Sequence, residues 1–376
     1  MKKTLVLLSI VLISISVLKA QDNVKIDSDA TDKIIINLKD SLKVPGIEVG
    51  IIVNDKIEYE KAFGYSDIEK QRELTINSVW HICSVSKQFL TVACLKLEEE
   101  HKLSLNDKIS KYFDDLTGGY QDITIFNLLS HTSGIKDYLN EKNLFGLPWE
   151  RVKSEVFSDT LNFKPGSAWR YSNTGFWTVA RIIEKITGMD YNKYLEKTFF
   201  SELHMDQTRR ISEWKPKDQT VDGFVSEDGK LIKADFKGSE FYGQGDGDLI
   251  STLSDLFKWN KALTQGKIIR RETLSKLWSP SKLNDGKILE AIPGSGVMYG
   301  LGWFIGNVDG DRIVWTPGAG FGFSISAQYM PGYNLIILVL CNKDQFLMAD
   351  EIGFAIARNI LRQDPDLSFN QFPKHD

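Results

Sequence analysis

The chain has 376 residues, 42% of them hydrophobic and 26% charged, which is enough apolar mass for a large core and excludes a disordered or low-complexity chain. Forty-six Lys and Arg against fifty Asp and Glu leave a net charge of -4, so there is no broad positive field to hold nucleic acid. The length points to one large domain with two lobes, or two intimately packed subdomains.

Residues 1–20 read as a removable secretory signal. Lys2 and Lys3 precede an apolar run from Leu5 to Leu18 that is short for a bilayer crossing, and the small Ala20 suits cleavage. The remaining chain, 21–362 with a polar tail at 363–376, is expected to be secreted or periplasmic, with no stable membrane span. Cys83, Cys94 and Cys341 are an odd number in a chain with a large core, so buried free thiols are expected. The five histidines, His81, His101, His131, His204 and His375, lack metal-ligand spacing, so no metal site is expected.

Apolar residues at helical spacing predict a helix over Asp29–Leu42 that stops before Pro45-Gly46. Two β-rich runs, Ile47–Val53 and Ile57–Phe63, flank Asn54-Asp55-Lys56 and predict a hairpin. A second helix is predicted from Val85 to about Glu100. From about 104 to 240 the pattern gives short helices and long loops, the clearest helix running from Thr174 to Thr187 with Gly188 as its stop. Strands are predicted at Tyr299–Ile305, Arg312–Thr316, Gly322–Tyr329 and Asn334–Cys341, then a helix over Phe346–Leu361. The fold class is mixed α/β: an antiparallel sheet built from N- and C-terminal strands (about 28–83 and 250–362), flanked by helices, with a mostly helical lobe (about 100–240) inserted between them. The cleft between the lobes is the natural place for chemistry.

Ser84-Val85-Ser86-Lys87 lies where a loop enters the second helix. A spacing of three places the Lys87 amine over the Ser84 hydroxyl, and the helix N-terminus favours a developing alkoxide. The same pattern begins at Ser16, Ser133, Ser212 and Ser279, so spacing alone decides nothing; only at Ser84 does it open an apolar helix. Tyr171-Ser172-Asn173 precedes the Thr174 helix and offers a phenol for proton transfer and an amide for orientation, or, read blandly, a half-buried anchor and a helix cap. A rival Tyr-x-Asn begins at Tyr138 in a charged loop. Gly243-Gln244-Gly245-Asp246-Gly247-Asp248 fits neither a dinucleotide fingerprint nor a calcium loop, and a flexible loop is expected there.

Taken together, Ser84-Val85-Ser86-Lys87-Gln88-Phe89, Leu128-Leu129-Ser130-His131-Thr132-Ser133-Gly134-Ile135 and Lys164-Pro165-Gly166 leading to Tyr171-Ser172-Asn173 resemble the serine beta-lactamase-related family. That family includes class C beta-lactamases, D,D-carboxypeptidases, D-aminopeptidases and related esterases, and the similarity runs from about Val44 to Leu361. The resemblance implies a beta-lactamase/transpeptidase-like fold and an exported hydrolase of amides or esters that works without metal or organic cofactor. By the same resemblance Ser84 is the acylated nucleophile, Lys87 its base partner, Tyr171 a second proton carrier and Asn173 a substrate or lysine contact. His131 to Gly134 is implied to be structural, and the 243–248 loop a wall of the substrate cleft. Substrate binding and the oxyanion hole fall on Thr316, Gly318 and Ala319, the latter through its backbone N–H together with that of Ser84. Relatives carry Lys or His where this chain has Thr316. The substrate is expected to be a small molecule or peptide; the departure puts recognition of a substrate carboxylate in doubt, favours esters or unusual amides, and raises the alternative of a catalytically silent ligand-binding or sensing protein.

Overall fold

The computed structural model describes residues 24–213, 220–234 and 243–362; the expected signal segment and polar tail lie outside the described residues. Asp27 caps α1 (Ser28–Ser41), its side chain accepting from the Ala30 N–H. β1 (Gly46–Val53) and β2 (Lys56–Asp67) then form the expected hairpin. Asn54 and Asp55 turn it at φ +50° and +67°, the left-handed pair that hairpin turns require and that these two residues tolerate.

Short strands follow as β3 (Arg72–Glu73), β4 (Trp80–His81), β5 (Arg209–Arg210), β6 (Phe224–Glu227), β7 (Lys230–Lys233) and β8 (Leu249–Ser251). The C-terminal part supplies β9 (Glu290–Ile292), β10 (Val297–Tyr299), β11 (Phe304–Val308), β12 (Asp311–Gly320), β13 (Phe323–Met330) and β14 (Leu335–Cys341). Among the described residues the main sheet has nine strands in the order β3-β2-β1-β14-β13-β12-β11-β10-β9, antiparallel at every pairing. It is thus one sheet built from both ends of the chain, as the sequence implies. The expected strand Tyr299–Ile305 is two strands, because the chain turns back between them through Gly302 at φ +79°. The stretch from 104 to 240 is also less purely helical than its sequence reads: β6 and β7 pair as a hairpin, and β5 joins β4 and β8 in a small second sheet.

β14 explains how the layers are held. Ile337, Val339 and Cys341 join one apolar cluster, with Ile35 of α1 and Ile352 and Ile356 of α9 (Met348–Arg362). Ile336, Leu338 and Leu340 join the other, with residues of the intervening helices. Alternate side chains of one strand therefore bury both faces, so the run is continuously apolar.

Between the sheet strands lie α2 (Lys87–Glu99), α3 (Ile125–Leu129), α4 (Trp149–Phe157), α5 (Asn173–Thr187), α6 (Tyr191–Leu195), α7 (Leu253–Thr264) and α8 (Arg271–Leu277). Helix α2 is the central one: every residue from Lys87 to Leu95 is buried. Burying each large apolar side chain of that run contributes roughly 1.5–3 kcal/mol. Helix α5 packs against it and ends at Gly188, whose φ of +67° makes the left-handed stop.

Candidate active site

β4 runs straight into a 3₁₀ turn, Cys83–Ser86, and this turn, not the helix itself, carries Ser84. Helix α2 begins at Lys87, later than the expected Val85. The Ile82 N–H donates to the Leu249 carbonyl at 3.1 Å, anchoring the turn to β8. Cys83 takes φ +48°, an uncommon conformation for a residue with a side chain and one that concentrates at functional sites. The turn lifts Ser84 to a partly exposed position while Cys83, Val85, Ser86 and Lys87 stay buried.

Lys87 is 1% exposed, and its amine is fully employed. It donates to Ser84 Oγ at 3.0 Å, to Asn173 Oδ1 at 2.8 Å and to the Asp246 carbonyl at 2.5 Å. Three acceptors match the three protons of an ammonium group, which offsets the cost of burying the charge. The amine also lies 4.9 Å from the centre of the Tyr171 ring and 5.4 Å from that of Phe176. The Tyr171 hydroxyl donates to Ser84 Oγ at 2.9 Å.

Ser172 is the cap of α5, accepting from the Gly175 N–H at 3.3 Å. That leaves the Asn173 side chain free to face Lys87, so Asn173 is the first residue of the helix and not its cap. The Asn173 N–H donates to Asp137 Oδ2. The structure thus brings Ser84, Lys87, Tyr171 and Asn173 together from two separate segments.

His131 is buried and behaves as scaffolding. Its Nδ1 accepts from the Ser172 N–H at 3.1 Å, and its ring packs against the Tyr171 ring, tilted by 37° with centroids 4.3 Å apart. Burial and the Lys87 charge hold it well below the usual imidazole range, so it is neutral. His81, beneath the turn, donates from Nε2 to the Gly247 carbonyl at 2.7 Å, and burial pushes it down to about 4. All three cysteines are free and buried.

Ser84 opens into a cavity of about 740 Å³ walled by Trp169, Tyr171, Phe304, Phe321 and Phe346, with Pro317 and Ala319 on one side and Asp246 and Gly247 at the back. A larger groove of about 970 Å³ elsewhere is lined by Asp122, Asp159, Lys164 and Lys282 but includes neither Ser84 nor Lys87. Of the three residues expected on β12, Ala319 lines the Ser84 cavity and Gly318 and Thr316 do not. Thr316 is 3% exposed, with its hydroxyl 3.5 Å from the Gly302 carbonyl. Alternation explains this: positions 317 and 319 share one face of the strand and 316 and 318 the other.

The match to the Beta-lactamase family covers residues 31–361. The chain belongs to the beta-lactamase family. Among curated relatives it is similar to Penicillin-binding protein 4* of Bacillus subtilis, 29% identical over 82% of this chain and 70% of that protein. It is also similar to Protein flp of Staphylococcus aureus, 27% identical over 80% of this chain but only 60% of that one. Among solved structures, the octameric penicillin-binding protein homologue from Pyrococcus abyssi superposes with a TM-score of 0.80 at 26% identity, covering 91% of this chain and 79% of that one. The D-amino acid amidase from Ochrobactrum anthropi, solved with D-phenylalanine, shares the fold with a TM-score of 0.75 at 20% identity, over 90% and 100% of the two chains.

In this member of the family, β12 outruns its neighbour. Its pairing with β11 ends at Trp315–Phe304, and from Thr316 onward that edge faces the Ser84 turn. Pro317 is tolerated on such a free edge. Gly318 is where strand and turn touch: a Cβ there would stand 2.6 Å from the Ile82 carbonyl and 3.2 Å from both Cys83 Cβ and Val85 Cγ2. Gly318→Ala is therefore expected to destabilise the fold by about 1–3 kcal/mol, because backbone must shift to admit the methyl. Urea unfolding checks this, and a midpoint equal to wild type contradicts it.

Several groups at the site escape sequence reasoning. Asp137 and Tyr138, assigned to an undistinguished charged loop, contact Asn173 and Asp246. The 243–248 segment, expected to be flexible, is buried throughout and tied down by the His81 contact to Gly247 and the Ser86 hydroxyl, which accepts from the Leu249 N–H at 3.3 Å. Its run of alternating Gly and Asp was the available signal.

Proposed function

We propose that the protein is an exported serine hydrolase that cleaves an amide or ester through an acyl-enzyme at Ser84. The observation that carries this reading is Ser84 Oγ held between Lys87 Nζ at 3.0 Å and Tyr171 Oη at 2.9 Å. In the reacting form Tyr171 is the phenolate, stabilised by the Lys87 ammonium 4.9 Å from its ring, so Ser84 Oγ attacks the substrate carbonyl while its proton passes to Tyr171 Oη. The oxyanion is received by the backbone N–H groups of Ser84 and Ala319, each such donor being worth about a hundredfold or more in rate. Collapse of the tetrahedral adduct breaks the bond to the leaving alcohol or amine, which takes that proton from Tyr171 Oη and leaves the phenolate again. Water then attacks the ester at Ser84 by the reverse proton route and releases the acid. Asn173 holds Lys87 in place. Export is supported by the signal pattern in residues 1–20, and no helix among the described residues is long and apolar enough to cross a membrane.

Substrate preference follows from charge. Lys87 is buried behind Ser84 and does not line the cavity, and the ionisable groups that do, among the described residues, are acidic or neutral: Asp246, Asp344, His81, the Cys83 thiol and two tyrosines. Burial raises the carboxyl of Asp344. With no cation among these lining groups, the cleft suits apolar substrates without a free carboxylate near the scissile bond.

Two experiments check the reading. Intact-mass spectrometry after exposure to a fluorophosphonate, a penicillin or p-nitrophenyl butyrate is expected to show an adduct on the wild-type protein that Ser84→Ala lacks. No adduct from any of the three, on a folded sample, would favour the silent ligand-binding protein. For charge, methyl 4-butyryloxybenzoate is expected to exceed 4-butyryloxybenzoate in kcat/KM by about tenfold or more, the equivalent of about 1.4 kcal/mol. Equal or reversed values contradict the assignment.

A further inference from the structure

Two features that the sequence leaves aside, the Tyr138 loop and the Gly243–Asp248 segment, meet directly behind Lys87. Asp246 is held there twice. Its backbone carbonyl accepts from Lys87 Nζ at 2.5 Å, and its carboxyl Oδ2 accepts from the Tyr138 hydroxyl at 2.8 Å. The Tyr138 oxygen in turn accepts from the Gly243 N–H at 3.3 Å. Gly243 makes room for this pair: a Cβ there would stand 2.8 Å from Asp246 Oδ2, 2.9 Å from the Trp177 ring and 3.0 Å from the Tyr138 hydroxyl. Asp246 Oδ1 is buried without a hydrogen-bond partner. A buried carboxyl with one hydrogen-bond donor and a lysine nearby is a group whose charge matters to everything around it.

We propose that Asp246, clamped by Tyr138, is a positioning residue whose carboxyl sets the net charge of the buried Lys87 site and thereby the rate at which Ser84 is acylated. With the carboxyl neutral, the Lys87 ammonium acts uncompensated on Ser84 Oγ, on Tyr171 and on the oxyanion. With it ionised, a buried negative charge opposes the negative charge that develops in the transition state. The inference rests on Ser84 being the nucleophile.

The groups that face Asp246 come from every packed element. Lys87 of α2 favours its ionised form, as does the Tyr138 hydroxyl; Asp248 and Asp137 oppose it. Tyr191 of α6 lies close enough to feel its charge, and Arg210 faces Asp248 at 3.9 Å. Burial is the largest influence, and the carboxyl is pushed up to about 7. The sign follows: below that pH Asp246 is neutral in wild type, and above it the charge appears.

The test compares acylation by p-nitrophenyl butyrate in wild type, Asp246→Asn and Tyr138→Phe across pH, with Ser84→Ala alongside. Asp246→Asn keeps an oxygen for the Tyr138 hydroxyl and the same backbone carbonyl but cannot ionise. Its rate relative to wild type is expected to be flat below about pH 6 and to climb through neutrality by about tenfold at about pH 8.5, one buried charge at this range being worth about that much. Tyr138→Phe removes the donor that favours the ionised form, so the wild-type inflection is expected to move to higher pH; it carries the same readout if Asp246→Asn fails to melt cooperatively. Flat ratios and an unmoved inflection, with Ser84→Ala inactive, overturn the role of Asp246 alone. Turnover surviving in Ser84→Ala overturns the hydrolase reading beneath it. A purely structural Asp246 would lower the rate equally at every pH.

Discussion

An ammonium group with almost no exposure to water constrains the whole interior of this protein. Lys87 can stay charged in the core only if each of its three protons finds an acceptor, and the acceptors come from distant parts of the chain: Ser84 on the preceding turn, Asn173 at the start of α5 and the Asp246 carbonyl from the segment before β8. Satisfying them fixes where α2, α5 and the 243–248 segment stand relative to one another. The same contacts that keep the amine solvated hold it against the one partly exposed serine of the turn.

The supporting groups extend this arrangement outward. Asp137 takes the Asn173 N–H, His131 takes the Ser172 N–H and packs on the Tyr171 ring, and Tyr138 clamps Asp246. Each holds a residue that itself touches Lys87 or Ser84. On the open side, the free edge of β12 closes on the turn at Gly318, which lets the Ala319 backbone reach the cavity. The result is a fixed serine, the proposed nucleophile, in a largely aromatic cleft.

Much of this was legible in the sequence because it depends on local chemistry. The Asn54-Asp55 hairpin, the apolar periodicity of α5 with its Gly188 stop and the β-rich C-terminal runs all follow from short-range preferences. The three co-ordered segments around Ser84, His131 and Tyr171 likewise pointed to the candidate site, and the structure brings them together. What stayed hidden depends on tertiary contact. The start of α2 is delayed because β8 pins Ile82 and tightens the next turn to 3₁₀. Tyr299–Ile305 splits because Gly302 reverses a chain whose apolar pattern continues through it. The burial of 243–248 has no periodic signature, since its order comes from His81, Ser86 and Lys87, each more than a hundred residues away. Thr316 was readable as a missing cation but not as a residue behind the cleft wall, which only the pairing and exposure of β12 reveal.

The central claim, that a buried amine with three acceptors activates Ser84, is tested most directly by rapid-mixing measurement of the p-nitrophenol burst in Lys87→Met. That change keeps the length and apolar packing of the side chain while removing the charge and its donors. The account predicts that the variant folds and that the acylation burst slows by about 10²- to 10⁴-fold, the range expected when positioned proton transfer loses the cation that supports it. A burst of wild-type rate and amplitude from folded Lys87→Met would contradict it.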